Sequence, residues 1–256
     1  MVKIDIENAR LAIIGSTNLT KNLILFLEQI NRPLLLMGLS KNKLIKKANS
    51  VSMEEYCEKK NICYIDNDSW DFFYNKCKKN RINLIIEFGD SRIIPSYILE
   101  NIYTIGNHGA LLPYVKGGAS LVWGRMANLK NWGVSLMKID KAIDQGEILS
   151  SKEFNYDSYT NMSEFIELSD RATMDCFVKL INKNFSVKKN IPTKVTVKKN
   201  TDTYKATTKL IEALRKNISI YMPPRIPIDA KINNDWPEEF IEVFKIANNK
   251  PYPKYY

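Results

Sequence analysis

Short apolar blocks alternate with amphipathic ones along the first hundred residues. Leu11-Ala12-Ile13-Ile14 closes on Gly15, Ser16 and Thr17 follow as helix caps, and Leu23, Ile24, Phe26, Leu27 and Ile30 then share one side of a helix. Leu34-Leu35-Leu36-Met37, Ile62-Cys63-Tyr64-Ile65 and Asn83-Leu84-Ile85-Ile86-Glu87-Phe88 repeat the apolar block, with helical stretches near 53–59 and 70–78 between them. Strands alternating with helices predict an α/β fold, a mainly parallel sheet covered on both faces. Ligands of such sheets sit beyond the carboxyl ends of the strands, where residues 89–95 and 107–113 fall.

The pattern changes in the second half. Residues 161–183 read as one amphipathic helix, opened by a capping box of Asn161 and Glu164, with Phe165, Leu168, Ala172, Cys176 and Leu180 on its buried stripe. Lys194-Val195-Thr196-Val197-Lys198 alternates like an exposed strand, and the prolines of Tyr221-Met222-Pro223-Pro224-Arg225-Ile226-Pro227 argue against regular structure there. A boundary is placed near Asn184, giving a main domain over 1–183 and a small α+β subdomain over 184–256, a division that 256 residues accommodate.

Composition adds four constraints. No apolar stretch approaches the roughly 20 residues of a membrane span, and Met1-Val2-Lys3-Ile4-Asp5 lacks the layout of a signal peptide, so a cytoplasmic protein without a membrane partner is expected. In that setting the sequons at Asn18, Asn161, Asn184 and Asn217 carry no weight. Cys57, Cys63, Cys77 and Cys176 have neither zinc-knuckle nor disulfide spacing and are read as buried thiols. The formal charge is +10, and the segment from Lys183 onward holds 15 Lys and Arg against 7 Asp and Glu, or +8 of it. A basic end of this kind is most often a solvated lysine face, although interleaved Tyr204, Tyr221, Trp236 and Phe240 leave base stacking open.

Candidate chemistry centres on one residue. The sequence has 1 histidine, His108, directly after an apolar run. A proton shuttle working near neutral pH has no other natural candidate, and histidine-rich metal sites are excluded. Neither cysteines nor carboxylates cluster with ligand spacing, so no metal is expected. The chain has no G-x-G-x-x-G and no G-x-x-x-x-G-K-[ST], which leaves dehydrogenase and P-loop readings without support. Taken alone, a lone histidine is more often a satisfied structural residue, and Asp144 before Gly146 could simply shape a turn.

Three segments change that weighting. The first is Glu87-Phe88-Gly89-Asp90-Ser91-Arg92-Ile93-Ile94-Pro95. The second is Asn107-His108-Gly109-Ala110-Leu111-Leu112-Pro113 with Gly117-Gly118-Ala119, and the third is Ile143-Asp144-Gln145-Gly146-Glu147-Ile148-Leu149 after the run ending at Asp140. In this order and spacing, over residues 80–155, the chain resembles the 10-formyltetrahydrofolate-dependent formyltransferase family, which includes glycinamide ribonucleotide, methionyl-tRNA and sugar-nucleotide enzymes. The resemblance implies a Rossmann-like formyltransferase fold and a catalytic constellation of Asn107, His108 and Asp144. It also implies that the backbone of Ser91, Arg92 and Ile94, with the loop of Lys141, Ala142 and Ile143, holds the pterin of 10-formyltetrahydrofolate. A homodimer is expected on the same ground.

Formyl transfer to an amine needs such groups. The tetrahedral intermediate gathers negative charge on the carbonyl oxygen while the attacking nitrogen loses a proton, so an oxyanion donor and a base are both required. One departure stands out: the family places its asparagine two positions before the histidine, where this chain has Gly106. On an extended chain the adjacent Asn107 points away from His108, unless a bulge at Gly106 brings it round to the same side.

The acceptor is read from the C-terminal stretch. Arg225-Ile226-Pro227-Ile228-Asp229-Ala230-Lys231-Ile232, followed by Trp236, an amphipathic run from Phe240 and Pro251-Tyr252-Pro253, resembles the end of the catalytic module in sugar-nucleotide formyltransferases, with Ala230 in place of a glycine. The resemblance implies a nucleoside-diphosphate-linked 3- or 4-amino sugar as substrate, of the kind used for surface polysaccharide or O-antigen. Arg225 would meet the pyrophosphate, and Tyr221 or Trp236 the base. The chain leaves no room after Pro253 for a full tRNA-holding domain, so nucleic acid is not the expected partner. Formylation of methionyl-tRNA or of phosphoribosylglycinamide is the alternative within the class. In another class, an inactive core with a nucleic-acid-binding basic end is kept open by Gly106.

Overall fold

The computed structural model describes residues 4–44, 49–182 and 186–252. The expected boundary at Asn184 and the last proline of the Pro-Tyr-Pro motif, Pro253, lie outside these residues. The chain runs β1 (Leu11–Ile14), α1 (Asn18–Leu27), β2 (Leu35–Met37), α2 (Lys41–Leu44), α3 (Glu54–Lys59), β3 (Cys63–Ile65), α4 (Trp70–Lys79), β4 (Leu84–Glu87), α5 (Ser96–Leu99) and β5 (Tyr103–His108). It continues through β6 (Val115–Gly117), α6 (Ser120–Ala127), β7 (Asn131–Lys138), β8 (Ile148–Asn155) and α7 (Met162–Asn182). The last elements are β9 (Val195–Thr196), α8 (Thr203–Arg215), β10 (Ile220–Met222), a 3₁₀ turn at Pro227–Ala230 and α9 (Glu238–Ala247).

Seven strands form one sheet in the order β3-β2-β1-β4-β5-β7-β8. The first five are parallel, and β7 and β8 add an antiparallel edge. β1, β2 and β4, which read as continuous apolar runs, are buried on both sides. Side-chain alternation divides the sheet between two layers: Leu11, Ile13, Leu36, Leu84, Ile86 and Ile105 pack with α1 and α7, whereas Ala12, Ile14, Leu35, Met37 and Ile85 pack with α4 and α5. Three further strands make a small parallel sheet, β6-β10-β9, in which β6 comes from the segment just after His108.

The long helix α7 forms as its pattern predicts. Asn161 and Glu164 exchange side-chain and backbone hydrogen bonds at 3.0 and 3.1 Å, and Phe165, Ala172, Cys176, Phe177 and Leu180 are buried. Phe177 meets Phe26 and Phe88 edge-on, joining α7 to α1 and the sheet. Among the described residues no helix is long and apolar enough to cross a membrane.

Two expectations are corrected. Cys57, Cys77 and Cys176 are buried, and burial pushes the first two thiols up to about 12, but Cys63 is exposed because β3 is the edge of the sheet. The proline-rich stretch also starts with regular structure: Tyr221 and Met222 precede the first proline and complete β10, so their N–H groups remain free to join the ladder.

Burial and the neighbouring Glu167 raise the Asp170 carboxyl on α7 to about 7 from 3.8. The folded state therefore keeps a proton that the unfolded chain releases. Its contribution to stability is complete below the unfolded value and is lost as pH rises through about 7. Asp170→Asn removes this dependence, so thermal unfolding should show the variant gaining on the wild-type protein between pH 4 and pH 8.

Candidate active site

The site begins where β5 ends. His108 is the last residue of that strand, its ladder partner on β7 is Ser135, and its ring is buried. The chain then turns and returns as β6, whose Val115 carbonyl lies 2.9 Å from His108 Nε2. A carbonyl can only accept, so Nε2 carries the proton in this arrangement and Nδ1 faces Asp144 Oδ1 at 3.5 Å. The imidazole thus has a protein oxygen beside each nitrogen.

Asp144 comes from the connection between β7 and β8. It adopts a φ of 52°, a left-handed conformation that aspartate tolerates better than most residues. Its Oδ2 accepts from Gly117 N at 2.7 Å, and its own carbonyl accepts from Asn190 Nδ2 at 2.9 Å. Gly117 has a φ of +98°, and a Cβ there would lie 2.0 Å from Met222 O on β10. Only glycine lets β6 both approach β10 and present its N–H to Asp144.

Between these two contacts stands Lys116, which the sequence reading missed. Its side chain is fully buried, and Nζ donates to Gln145 Oε1 at 2.8 Å and to Ile191 O at 2.5 Å. Desolvation lowers its pKa while the charge of Asp144 opposes the fall. Three consecutive residues of β6 therefore serve the site: Val115 anchors the imidazole, Lys116 the segment after Asp144, and Gly117 the carboxylate. A lysine between valine and glycine gives no signal of burial, because its partners lie on segments distant in sequence.

Other candidates are placed differently. The β5–β7 ladder runs without a break through Ile105, Gly106, Asn107 and His108, so the expected bulge is absent. Asn107 consequently points to the face opposite His108, where Oδ1 accepts from Gly89 N at 3.2 Å. The N–H groups of Ser91 and Arg92 both donate to Asp90 Oδ1, at 2.7 and 2.8 Å. The Arg92 guanidinium is bound by Asp90 and Asp68, and Ile94 is a core residue. Lys141, Ala142 and Ile143 are exposed on the loop before Asp144, with Lys141 paired to Glu100. A cavity of about 310 Å³ borders this loop and includes Lys138, Ile139 and Gly146.

The C-terminal candidates gather elsewhere. Arg225 was expected to present its fork to phosphate, but the guanidinium lies over the rings of Trp123 and Phe244 at 5.0 and 5.7 Å. Its Nη2 donates to Asp229 O and Asn248 Oδ1, and burial lowers its pKa to about 10. Trp236 is buried against Phe240 and Phe244 while its Nε1 donates to Asp202 at 2.8 Å. Tyr221 is half-buried on β10, opposite Lys116 in register. The structure brings His108 and Asp144 together and leaves these three apart from them.

No protein-family model matches the chain. Methionyl-tRNA formyltransferase of Prochlorococcus marinus (strain MIT 9215) is 31% identical over 129 residues, covering 49% of this chain and 38% of that protein. The corresponding enzyme of Thermodesulfovibrio yellowstonii is 28% identical over 124 residues, covering 48% and 40%. The chain thus spans about two fifths of the length of these relatives. Among solved structures, the N-formyltransferase of Helicobacter canadensis, in complex with folinic acid and dTDP-3-aminofucose, superimposes with a TM-score of 0.63 at 17% identity, covering 93% of this chain and 80% of that one. Methionyl-tRNA formyltransferase of Clostridium thermocellum gives 0.62 at 18%, covering 96% and 86%. The fold is that of the formyltransferases.

Gly117→Ala should destabilise the protein by about 1–3 kcal/mol in urea denaturation, because a left-handed backbone and a close approach to Met222 must both be relieved.

Proposed function

We propose that this protein is a folate-dependent N-formyltransferase that moves the formyl group of 10-formyltetrahydrofolate onto the amine of a nucleotide-linked amino sugar. The observation that carries the reading is the buried His108–Asp144 pair, 3.5 Å apart, at the carboxyl end of the sheet in a fold of this class. The folate is assigned to the same end, beside the loops of residues 89–95 and 139–147. Exposed Ile93 and Ile143 supply apolar surface there for a pterin. In this reading residues 1–183 form the catalytic domain, 184–256 complete the sugar-nucleotide side, and the working unit is a homodimer.

The chemistry follows from what the side chains can do. The amine attacks the formyl carbon, the carbonyl electron pair moves to oxygen, and the charge there needs a donor. His108 can donate a proton or take one, and Asp144 orients the ring. Collapse of the intermediate breaks the bond to N10 of the folate, which takes up the proton that the amine has lost.

Support for a sugar acceptor comes from the C-terminal motif, in which Ile226 N donates to Asp229 Oδ2 at 2.7 Å and closes the turn that Arg225 begins. A methionyl-tRNA acceptor is the second reading, favoured by the names of the sequence relatives. Purified protein with 10-formyltetrahydrofolate should formylate at least one member of a panel of nucleotide-linked 3-amino and 4-amino sugars, and His108→Ala should lower that turnover by about 10²- to 10⁴-fold. Formylation of none of the panel, with salt-sensitive tRNA binding in a gel shift, would replace the sugar reading by the tRNA one.

A further inference from the structure

The face of β5 that carries His108 has no side chain at position 106, yet a polar group occupies that place. β4 is apolar through Leu84, Ile85 and Ile86 and then ends on a buried carboxylate, Glu87. Taking a carboxylate out of water at the end of such a strand is costly, which marks it as a residue kept for a reason other than packing. Parallel register sets Glu87 beside Gly106. Alternation then puts Glu87 on the side of Ile85, and Gly106 and His108 on that same side, since Ile86 and Ile105 belong to the opposite layer. A Cβ on Gly106 would lie 3.1 Å from Glu87 Oε2 and 2.6 Å from Ile139 Cδ1. The room for a residue-106 side chain is therefore taken up by Ile139 and the Glu87 carboxylate. The carboxylate is oriented by Asp90 N, which donates to Oε1 at 2.8 Å.

We propose that Glu87 is a catalytic residue of the formyl transfer and accepts the proton of the attacking amine. The proposal rests on the formyltransferase reading and deepens it. As the amine nitrogen bonds to the formyl carbon, its proton passes to the Glu87 carboxylate, and the carbonyl electron pair moves onto oxygen beside the His108 ring. When that pair re-forms the carbonyl, the bond from carbon to N10 breaks, its electrons stay on N10, and the proton held by Glu87 is delivered there. One proton has moved from the acceptor amine to the folate nitrogen, and Glu87 returns to its carboxylate form. This division of labour explains how the face can work with glycine at 106 and with Asn107 turned away.

The test is Glu87→Gln, which keeps the size of the side chain and an oxygen to accept from Asp90 N but cannot take a proton. With wild-type turnover on one amine of the panel in hand, Glu87→Gln should lower kcat by about 100-fold while tetrahydrofolate binding, followed by fluorescence titration, stays within about twofold. Glu87→Asp should retain an intermediate rate. A Glu87→Gln rate within about threefold of wild type overturns the proposal and leaves the formyltransferase reading standing. Loss of tetrahydrofolate binding in Glu87→Gln makes the residue structural and also overturns it. Absence of wild-type turnover on every amine overturns the underlying reading instead.

Discussion

The arrangement of this site depends on one constraint: an imidazole flanked at both nitrogens by groups that a single short strand supplies or supports. His108 Nε2 is tied to the carbonyl of Val115, and the carboxylate facing Nδ1 is tied to the N–H of Gly117. Backbone groups of β6 make both ties, so they depend on where the strand lies and on glycine at position 117. Its position is set from outside, by parallel pairing with β10 from the far end of the chain. The residues after 184 therefore bear on the His108–Asp144 pair through β10 and through Asn190, whose Nδ2 donates to the Asp144 carbonyl.

The large sheet contributes direction. Its parallel strands end together at one edge, and β4 and β5 run side by side to that edge, delivering Glu87, Gly106 and His108 to one face. The antiparallel β7 then carries the chain away and back, so that the connection to β8 can drop Asp144 onto the imidazole. Lys116 neutralises part of the charge this brings inside. The buried ammonium donates to Gln145 Oε1 and Ile191 O, and the charge of Asp144 offsets part of its desolvation.

Much of this was legible in the sequence. The strands of the parallel sheet were visible because burial on both faces leaves an uninterrupted apolar run, and α7 because its stripe and its capping box agree. His108 and Asp144 could be paired only through the resemblance, since no spacing rule links residues on separate loops. What was not legible has a common cause, namely that an isolated polar residue does not announce its partners. Lys116 reads as a surface lysine until β10 and the segment at Ile191 cover it. Arg225 reads as a phosphate fork until Trp123 and Phe244 close over it. Asn107 is adjacent to His108 in sequence and, by the period of a strand, faces away from it.

Because the chain has 1 histidine, the central claim can be read from a single imidazole spin system. Nitrogen-15 NMR of uniformly labelled protein should show a ring whose Nε2 is protonated and slow to exchange with water, and whose Nδ1 resonance moves when Asp144 is replaced by asparagine. A ring in rapid exchange with solvent, protonated on Nδ1 when neutral and unmoved by Asp144→Asn, would contradict the account.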